Sequence, residues 1–218
     1  MIYAMGFNFG DFNNDGYFDF YAGTGAFEFN SLVPNRAFLN KAGHFVEVTS
    51  QSGLGHLQKG HGIAFGDLDN DGDQDIYTTL GGAVEGDNAR NALFLNSNRT
   101  NDWITLKLTG KTIPRDAQNS RVIIHTVQKD QAKDFHFSVG SGGTFGANSL
   151  QVEAGLGQAG KTVDVEIWWG GDPAKKQVFK NLDTRHFYSL VEQEAKAQVL
   201  LTSTLALKSE NGKASCCH

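Results

Sequence analysis

The sequence predicts an all-β chain. A partial β-propeller of two repeats fills residues 1–99, a β-sandwich-like domain fills 100–193, and a flexible tail runs over 194–218. Three observations carry this reading. A pattern of apolar, glycine and acidic positions recurs at an offset of 56 residues through the first part. Each copy centres on a nine-residue acidic loop with strand-like flanks. The second part breaks into seven short alternating segments separated by turn residues.

The loops come first because they hold the chemistry. One reads Asp11-Phe-Asn13-Asn-Asp15-Gly16-Tyr17-Phe-Asp19, the other Asp67-Leu-Asp69-Asn-Asp71-Gly72-Asp73-Gln-Asp75. Side-chain oxygens fall at positions 1, 3, 5 and 9, with glycine at position 6. Ca²⁺ takes six to eight oxygens in a flexible shell, which short carboxylates and a backbone carbonyl can supply. Asp11, Asn13, Asp15 and Asp19 with the Tyr17 carbonyl would hold one ion. Asp67, Asp69, Asp71 and Asp75 with the Asp73 carbonyl would hold a second. Without a cation the like charges repel at close range. The competing reading is an Asp/Asn/Gly turn with no metal, and two loops in register count against it. An EF-hand is excluded, because it needs Glu at position 12 and flanking helices. Here that position is Ala22 or Thr78, and the flanks are rich in Phe, Tyr and Ile. Such residues favour strands.

The 56-residue repeat reaches beyond the loops. Gly6 matches Gly62, Tyr21 matches Tyr77, and Phe38-Leu-Asn40 matches Phe94-Leu-Asn96. Four short strands per unit at this period predict propeller blades. In the second part, strands are expected at 103–108, 121–127, 134–139, 150–154, 163–169, 177–179 and 186–191. Seven short strands with frequent turns read as a sandwich. A short helix after Glu192, with Glu192 and Lys196 paired at i,i+4, is expected to open the tail.

Composition narrows the function classes. The net charge is −5, and the loops hold eight of the 24 acidic residues. Two bound dications would bring the charge to −1, so the acidity is local. It argues against nucleic acid as a partner. No apolar run has the length of a membrane span. The first residues lack the charged and apolar regions of a signal peptide. The only cysteines are Cys216 and Cys217, so no disulfide framework reports a compartment. Weak Ca²⁺ sites suit extracellular modules. The expected location is therefore extracellular or cell-surface, with the periplasm as a further option.

Several stretches carry the resemblance to a known family. They are Gly55-His-Leu-Gln-Lys-Gly-His-Gly62, Phe65-Gly-Asp-Leu-Asp-Asn-Asp-Gly-Asp-Gln-Asp75, Pro34-Asn-Arg-Ala-Phe-Leu-Asn40, Asn101-Asp-Trp-Ile104, Arg115-Asp-Ala117, Gly155-Leu-Gly157 and Val163-Asp-Val-Glu-Ile-Trp168. The chain resembles FG-GAP/VCBS repeat proteins that end in an ASPIC/UnbV domain, the group that includes cartilage acidic protein. The resemblance implies a Ca²⁺-loaded propeller related to integrin α heads and a β-rich C-terminal domain. It also implies secreted or surface proteins used in binding and adhesion. Family propellers have about seven blades, whereas two repeats are present here. Gln118-Asn-Ser120 and Trp168-Trp-Gly-Gly171 also depart from the family pattern.

Other candidates have plainer readings beside them. His56, Lys59 and His61 crowd one loop, where they can bind an anion or transition metal or serve acid–base chemistry. They can equally be a blade connection bonded to backbone, with Glu85 and Asp87 in reach. Trp103, Trp168 and Trp169 offer sugar stacking or core packing, and strand alternation puts Trp168 and Trp169 on opposite faces. Asn98-Arg-Thr100 is a glycosylation acceptor pattern. Cys216, Cys217 and His218 read as a flexible end.

The expected function is an extracellular, non-catalytic calcium-binding module for adhesion, ligand binding or structural assembly. Its ligand would be protein or carbohydrate. One alternative is a self-assembling surface or fibre protein joined by blade-to-blade contacts, with partners in further blades or identical chains. Another is a polysaccharide-acting enzyme using the His56–His61 loop.

Overall fold

A computed structural model describes residues 3–26, 28, 33–82, 85–97, 100–140, 142 and 145–207. Asn98, Cys216, Cys217 and His218 lie outside the described residues. No helix among the described residues is long and apolar enough to cross a membrane.

The first repeat is an antiparallel meander of four strands, β1 (Ala4–Gly10), β2 (Asp19–Thr24), β3 (Arg36–Lys41) and β4 (His44–Glu47). The second is a three-stranded sheet, β5 (Gly60–Gly66), β6 (Asp75–Leu80) and β7 (Ala92–Phe94). β5 and β6 fall 56 residues after β1 and β2 at both ends. The acidic loops are therefore the β1–β2 and β5–β6 hairpin connections. Side chains alternate across each sheet. Tyr21, Ala37, Ile63, Phe65 and Ile76 turn inward and form a buried cluster between the two blades. The Tyr21 hydroxyl donates to the Leu54 carbonyl at 2.8 Å, which satisfies the one polar atom of a fully buried ring.

The C-terminal domain is a sandwich of two four-stranded sheets. Its strands are β8 (Asp102–Thr109), β9 (Arg121–Gln128), β10 (Gln131–Ser138), β11 (Val152–Gly157), β12 (Thr162–Trp168), β13 (Lys176–Asp183), β14 (Phe187–Val191) and β15 (Gln198–Leu200). One sheet has the order β10-β9-β12-β13, the other β11-β8-β14-β15. The β8–β14 pair is parallel. Ile104, Leu106, Ile124, Val165 and Ile167 alternate into the shared core. Trp169 joins that core, while Trp168 on the opposite face stays half-buried.

Three expectations are corrected. A fourth strand for the second repeat would fall at 100–105, but that stretch opens β8. Ile104, Leu106 and Leu108 are buried in the sandwich, and this burial outcompetes the blade edge. Among the described residues no helix follows Glu192. Its carboxylate instead accepts hydrogen bonds from the backbone N–H groups of Lys111 and Thr112 and from the Thr112 hydroxyl. These donors outweigh the effect of burial and hold the Glu192 carboxyl at about 2. The tail is not free from residue 194. β15 pairs with β14, and the Leu205 N–H donates to the Asp69 carbonyl at 2.7 Å.

Candidate metal centre

Each acidic loop closes on itself by the same hydrogen bonds. In the first, the Asp11 carboxylate accepts from the N–H groups of Asp15 (3.1 Å) and Gly16 (2.8 Å). In the second, the Asp67 carboxylate accepts from Asp71 (3.0 Å) and Gly72 (2.9 Å). Asp19 accepts from the N–H groups of Phe12 and Asn40, and Asp75 accepts from those of Leu68 and Asn96. Asn14 and Asn70 sit at φ 55° and 59°, and Gly16 and Gly72 at φ 86° and 96°. A left-handed position is inexpensive for glycine and tolerated by asparagine. The sequence of turn residues therefore curls both loops, and position 1 tethers position 6.

The curl points the carboxylates at one another. Oxygens of Asp67, Asp69 and Asp71 lie within 4.8 Å of each other. In the first loop Asn13 replaces one of the acids, and its carboxamide donates to Asp15 at 3.1 Å. Burial, then Asp19 and Asp15, push the Asp11 carboxyl up to about 8, and burial pushes Asp19 to about 7. In the second loop burial raises Asp67 and Asp75 to about 6. Burial and the neighbouring acids raise Asp73 to about 8. Asp73 is 2% exposed, and both its carboxylate oxygens are buried without a hydrogen-bond partner among the described residues. A buried polar atom needs a partner, and a buried charge needs a counter-charge. Donors that are all oxygen, mostly anionic and on a glycine-curled loop fit a hard dication such as Ca²⁺.

The structure brings the two loops together and seats them on the sandwich. The Asn14 carboxamide donates to the Gly72 carbonyl at 3.0 Å, and that of Asn96 to Phe12 at 2.6 Å. From the C-terminal domain, the Asn101 carboxamide donates to Asn13 at 2.8 Å, and the Gly157 N–H to Asn14 at 2.8 Å. Phe135 covers Gly16 and the Trp103 indole covers Gly72, each so closely that an added Cβ would overlap the ring. Tyr17, counted as a ligand through its carbonyl, turns its ring outward beneath the Lys133 ammonium at 4.9 Å.

Sequence reasoning missed the residues that brace the site. Asn40 and Asn96 match in the repeat, and that equivalence is the signal for their shared role. Gln74 and Glu153 gave no local signal. The Gln74 carboxamide accepts from the Asp11 N–H at 2.7 Å and donates to Glu153 at 3.0 Å, linking first loop, second loop and sandwich. Burial, then the Asp67 charge, raise Glu153 to about 7. Glu153 also lines a cleft of about 760 Å³ between the outer face of the first blade and the sandwich. Phe7, Phe9, Phe18, Phe45 and Phe137 form its apolar wall.

In the His56, Lys59 and His61 stretch, Lys59 and His56 are bonded within the protein. The Lys59 ammonium is buried against the Asp87 carboxylate at 2.7 Å. The Asn35 N–H donates to the His56 carbonyl, and the Gln58 N–H to the His56 ring at 3.1 Å. Burial lowers the His56 imidazole below its ordinary value.

Comparison with protein-family models matches residues 11–78 to the FG-GAP-like repeat and residues 110–197 to ASPIC and UnbV. The first match spans both acidic loops. No curated protein matches the chain.

Proposed function

Because the chain joins an FG-GAP-like repeat to an ASPIC and UnbV domain, we propose that it is a non-catalytic Ca²⁺-binding module working in adhesion or ligand binding outside the cell or at its surface. The observation that carries this reading is the paired carboxylate loops, identically tethered and seated together against the sandwich. FG-GAP repeats are typical of extracellular proteins, which supports the location. The pairing of Lys59 with Asp87 supports a non-catalytic role, because it withdraws the central cation of the His56–His61 loop. Two bound ions would neutralise crowded acids and stiffen the face where the blades meet the sandwich. At a free Ca²⁺ concentration a hundred times Kd, each would add about 2.7 kcal/mol to stability.

Calorimetric titration of the 218-residue chain with Ca²⁺ at pH 8 is expected to give two ions per chain. Asp15→Ala and Asp71→Ala should each remove one. Protons compete for raised carboxylates, so affinity should fall as pH drops from 8 to 5.5. The sign for the ion-free chain is opposite. With folded values of about 6 to 8 for Asp67, Asp75, Asp19, Asp11 and Asp73, the native state holds more protons than the unfolded chain between about pH 4 and 8. Ion-free stability should therefore fall as pH rises through that window. No heat of binding and no shift in melting temperature with Ca²⁺ would refute the assignment.

A second reading rests on the outer face of the first blade. Phe7, Phe9 and Phe45 are 40%, 44% and 48% exposed. Phe20 stacks on Phe38 at 4.4 Å, and Phe9 and Phe45 meet Phe20 edge-on. A contiguous aromatic face of this kind suits an interface. In this reading identical chains assemble through blade contacts. Light scattering should then report a mass that rises with concentration and falls to the monomer in Phe9→Lys. A monomer at every concentration would refute assembly.

A further inference from the structure

The two acidic loops are held from outside at the same two backbone carbonyls, but by different parts of the chain. In the first loop the Asn13 carbonyl accepts from the Asn101 carboxamide at 2.8 Å, and the Asn14 carbonyl from the Gly157 N–H at 2.8 Å. Both donors belong to the sandwich, Asn101 just before β8 and Gly157 at the end of β11. Asp69 and Asn70 stand 56 residues on, at the matching positions. The Asp69 carbonyl accepts from the Leu205 N–H at 2.7 Å, and the Asn70 carbonyl meets the Thr204 hydroxyl at 3.5 Å. These donors follow β15 in the segment 201–207, which is exposed throughout. The Asn70 carboxamide turns to the same segment. Asn14 donates across to Gly72 of the second loop, whereas Asn70 reaches the Ser203 carbonyl at 3.5 Å. Residues 203–205 thus take the contact that a third loop of the same pattern would receive.

We propose that residues 203–205 form a strap that positions the second cation loop, with the Leu205 N–H as its fixing point, and that strap docking and cation binding at that loop favour each other. The inference rests on the Ca²⁺ reading of the loops. The carbonyl that Leu205 holds belongs to Asp69, whose carboxylate is one of the three with oxygens within 4.8 Å of each other. Fixing that backbone limits how far the carboxylate can swing away. In the ion-free loop the converging acids repel one another. The exposed strap meets the loop by one short hydrogen bond and two contacts beyond ordinary hydrogen-bond length, so it opens readily. A cation that draws the acids together keeps the Asp69 carbonyl in place for Leu205. Such coupling is reciprocal, so the docked strap favours the ion by the same factor. The first loop takes its donors from the sandwich and is independent of the strap.

Two variants of the full chain isolate the donor, since Leu205→Pro removes the N–H and Leu205→Ala keeps it. Each is combined with Asp15→Ala, which leaves the second site, and with Asp71→Ala, which leaves the first. In Ca²⁺ titration calorimetry, Leu205→Pro should weaken the second site roughly three- to tenfold, the range of one hydrogen bond, and leave the first unchanged. Leu205→Ala should leave both unchanged. Amide hydrogen exchange reads the coupling from the other side and needs no strap variant. The Leu205 amide should exchange roughly threefold or more slowly in Ca²⁺ than in chelator. That slowing should vanish in Asp71→Ala and persist in Asp15→Ala. A merely structural segment would leave the Leu205 exchange rate indifferent to Ca²⁺. Should Leu205→Pro fold poorly, the exchange measurement decides alone. Leu205 exchange unchanged by Ca²⁺ in a chain that binds two ions would overturn the strap and leave the Ca²⁺ reading standing. So would a loss under about threefold at the second site, an equal loss at both sites, or as large a loss in Leu205→Ala. No Ca²⁺ binding by the wild-type chain would overturn both.

Discussion

Gly72→Ala is expected to lower the melting temperature of the Ca²⁺-loaded chain by roughly 4–20 °C, at about 2–4 °C per kcal/mol for a chain of this size. Two costs combine. The residue sits at φ 96°, where an L side chain loses about 1–2 kcal/mol. The new Cβ would also overlap the Trp103 indole, and overpacking of this kind costs about 1–3 kcal/mol. Gly43 separates the two. It has the same φ of 96°, in the turn between β3 and β4, with nothing within 4 Å of an added Cβ. Gly43→Ala should therefore show only the backbone cost. Equal losses at the two positions would mean that the indole does not press on the loop. Ca²⁺ affinity should fall with Gly72→Ala as well, since the Asp67 carboxylate tethers the Gly72 N–H.

Lys59→Ala is the other change expected to be severe. Lys59 and Asp87 are 1% and 6% exposed at 2.7 Å separation, so the substitution strands a buried carboxylate. Breaking such a pair costs about 3–5 kcal/mol, whereas replacing both members by apolar residues of similar volume is often neutral. The single variant should lose roughly 6–20 °C in melting temperature, and Lys59→Met with Asp87→Leu should recover most of it. A loss under about 1 kcal/mol, the value of an exposed pair, would show that water reaches this pair.

The extent of what was legible follows the range of the interactions. The repeat announced β1 and β5, and β2 and β6, at identical offsets, because hairpin strands are written in local alternation. The sandwich strands were legible for the same reason, from β9 with its buried Val122, Ile124 and Thr126 to β12 with Val163, Val165 and Ile167. The strand expected at 103–108 was legible as the first of the sandwich and is β8. What the period of the repeat did not tell is that the second blade stops at three strands, because the residues that would make its fourth are buried in the sandwich. Glu192 and Lys196 carry a correct helical spacing, but Thr112 and Lys111, about 80 residues upstream, claim the carboxylate. Glu85 and Asp87 were both candidates to approach the Lys59 loop, but a pair 28 residues apart carries no local spacing to say that Asp87 takes the charge.

The sequence by itself determined the two acidic loops. Their closure depends on carboxylates accepting from N–H groups four and five residues on, and on Asn14, Gly16, Asn70 and Gly72 taking left-handed backbone, all within nine residues. Tertiary structure alone decided what surrounds them. It laid Phe135 over Gly16 and Trp103 over Gly72, threaded Gln74 between Asp11 and Glu153, and buried Asp73 while leaving Tyr17 outside. The physical reason is that hydrogen bonds inside a short loop carry their own spacing in the sequence. Burial, and the charge balance it imposes, depends on which distant surface arrives to exclude water.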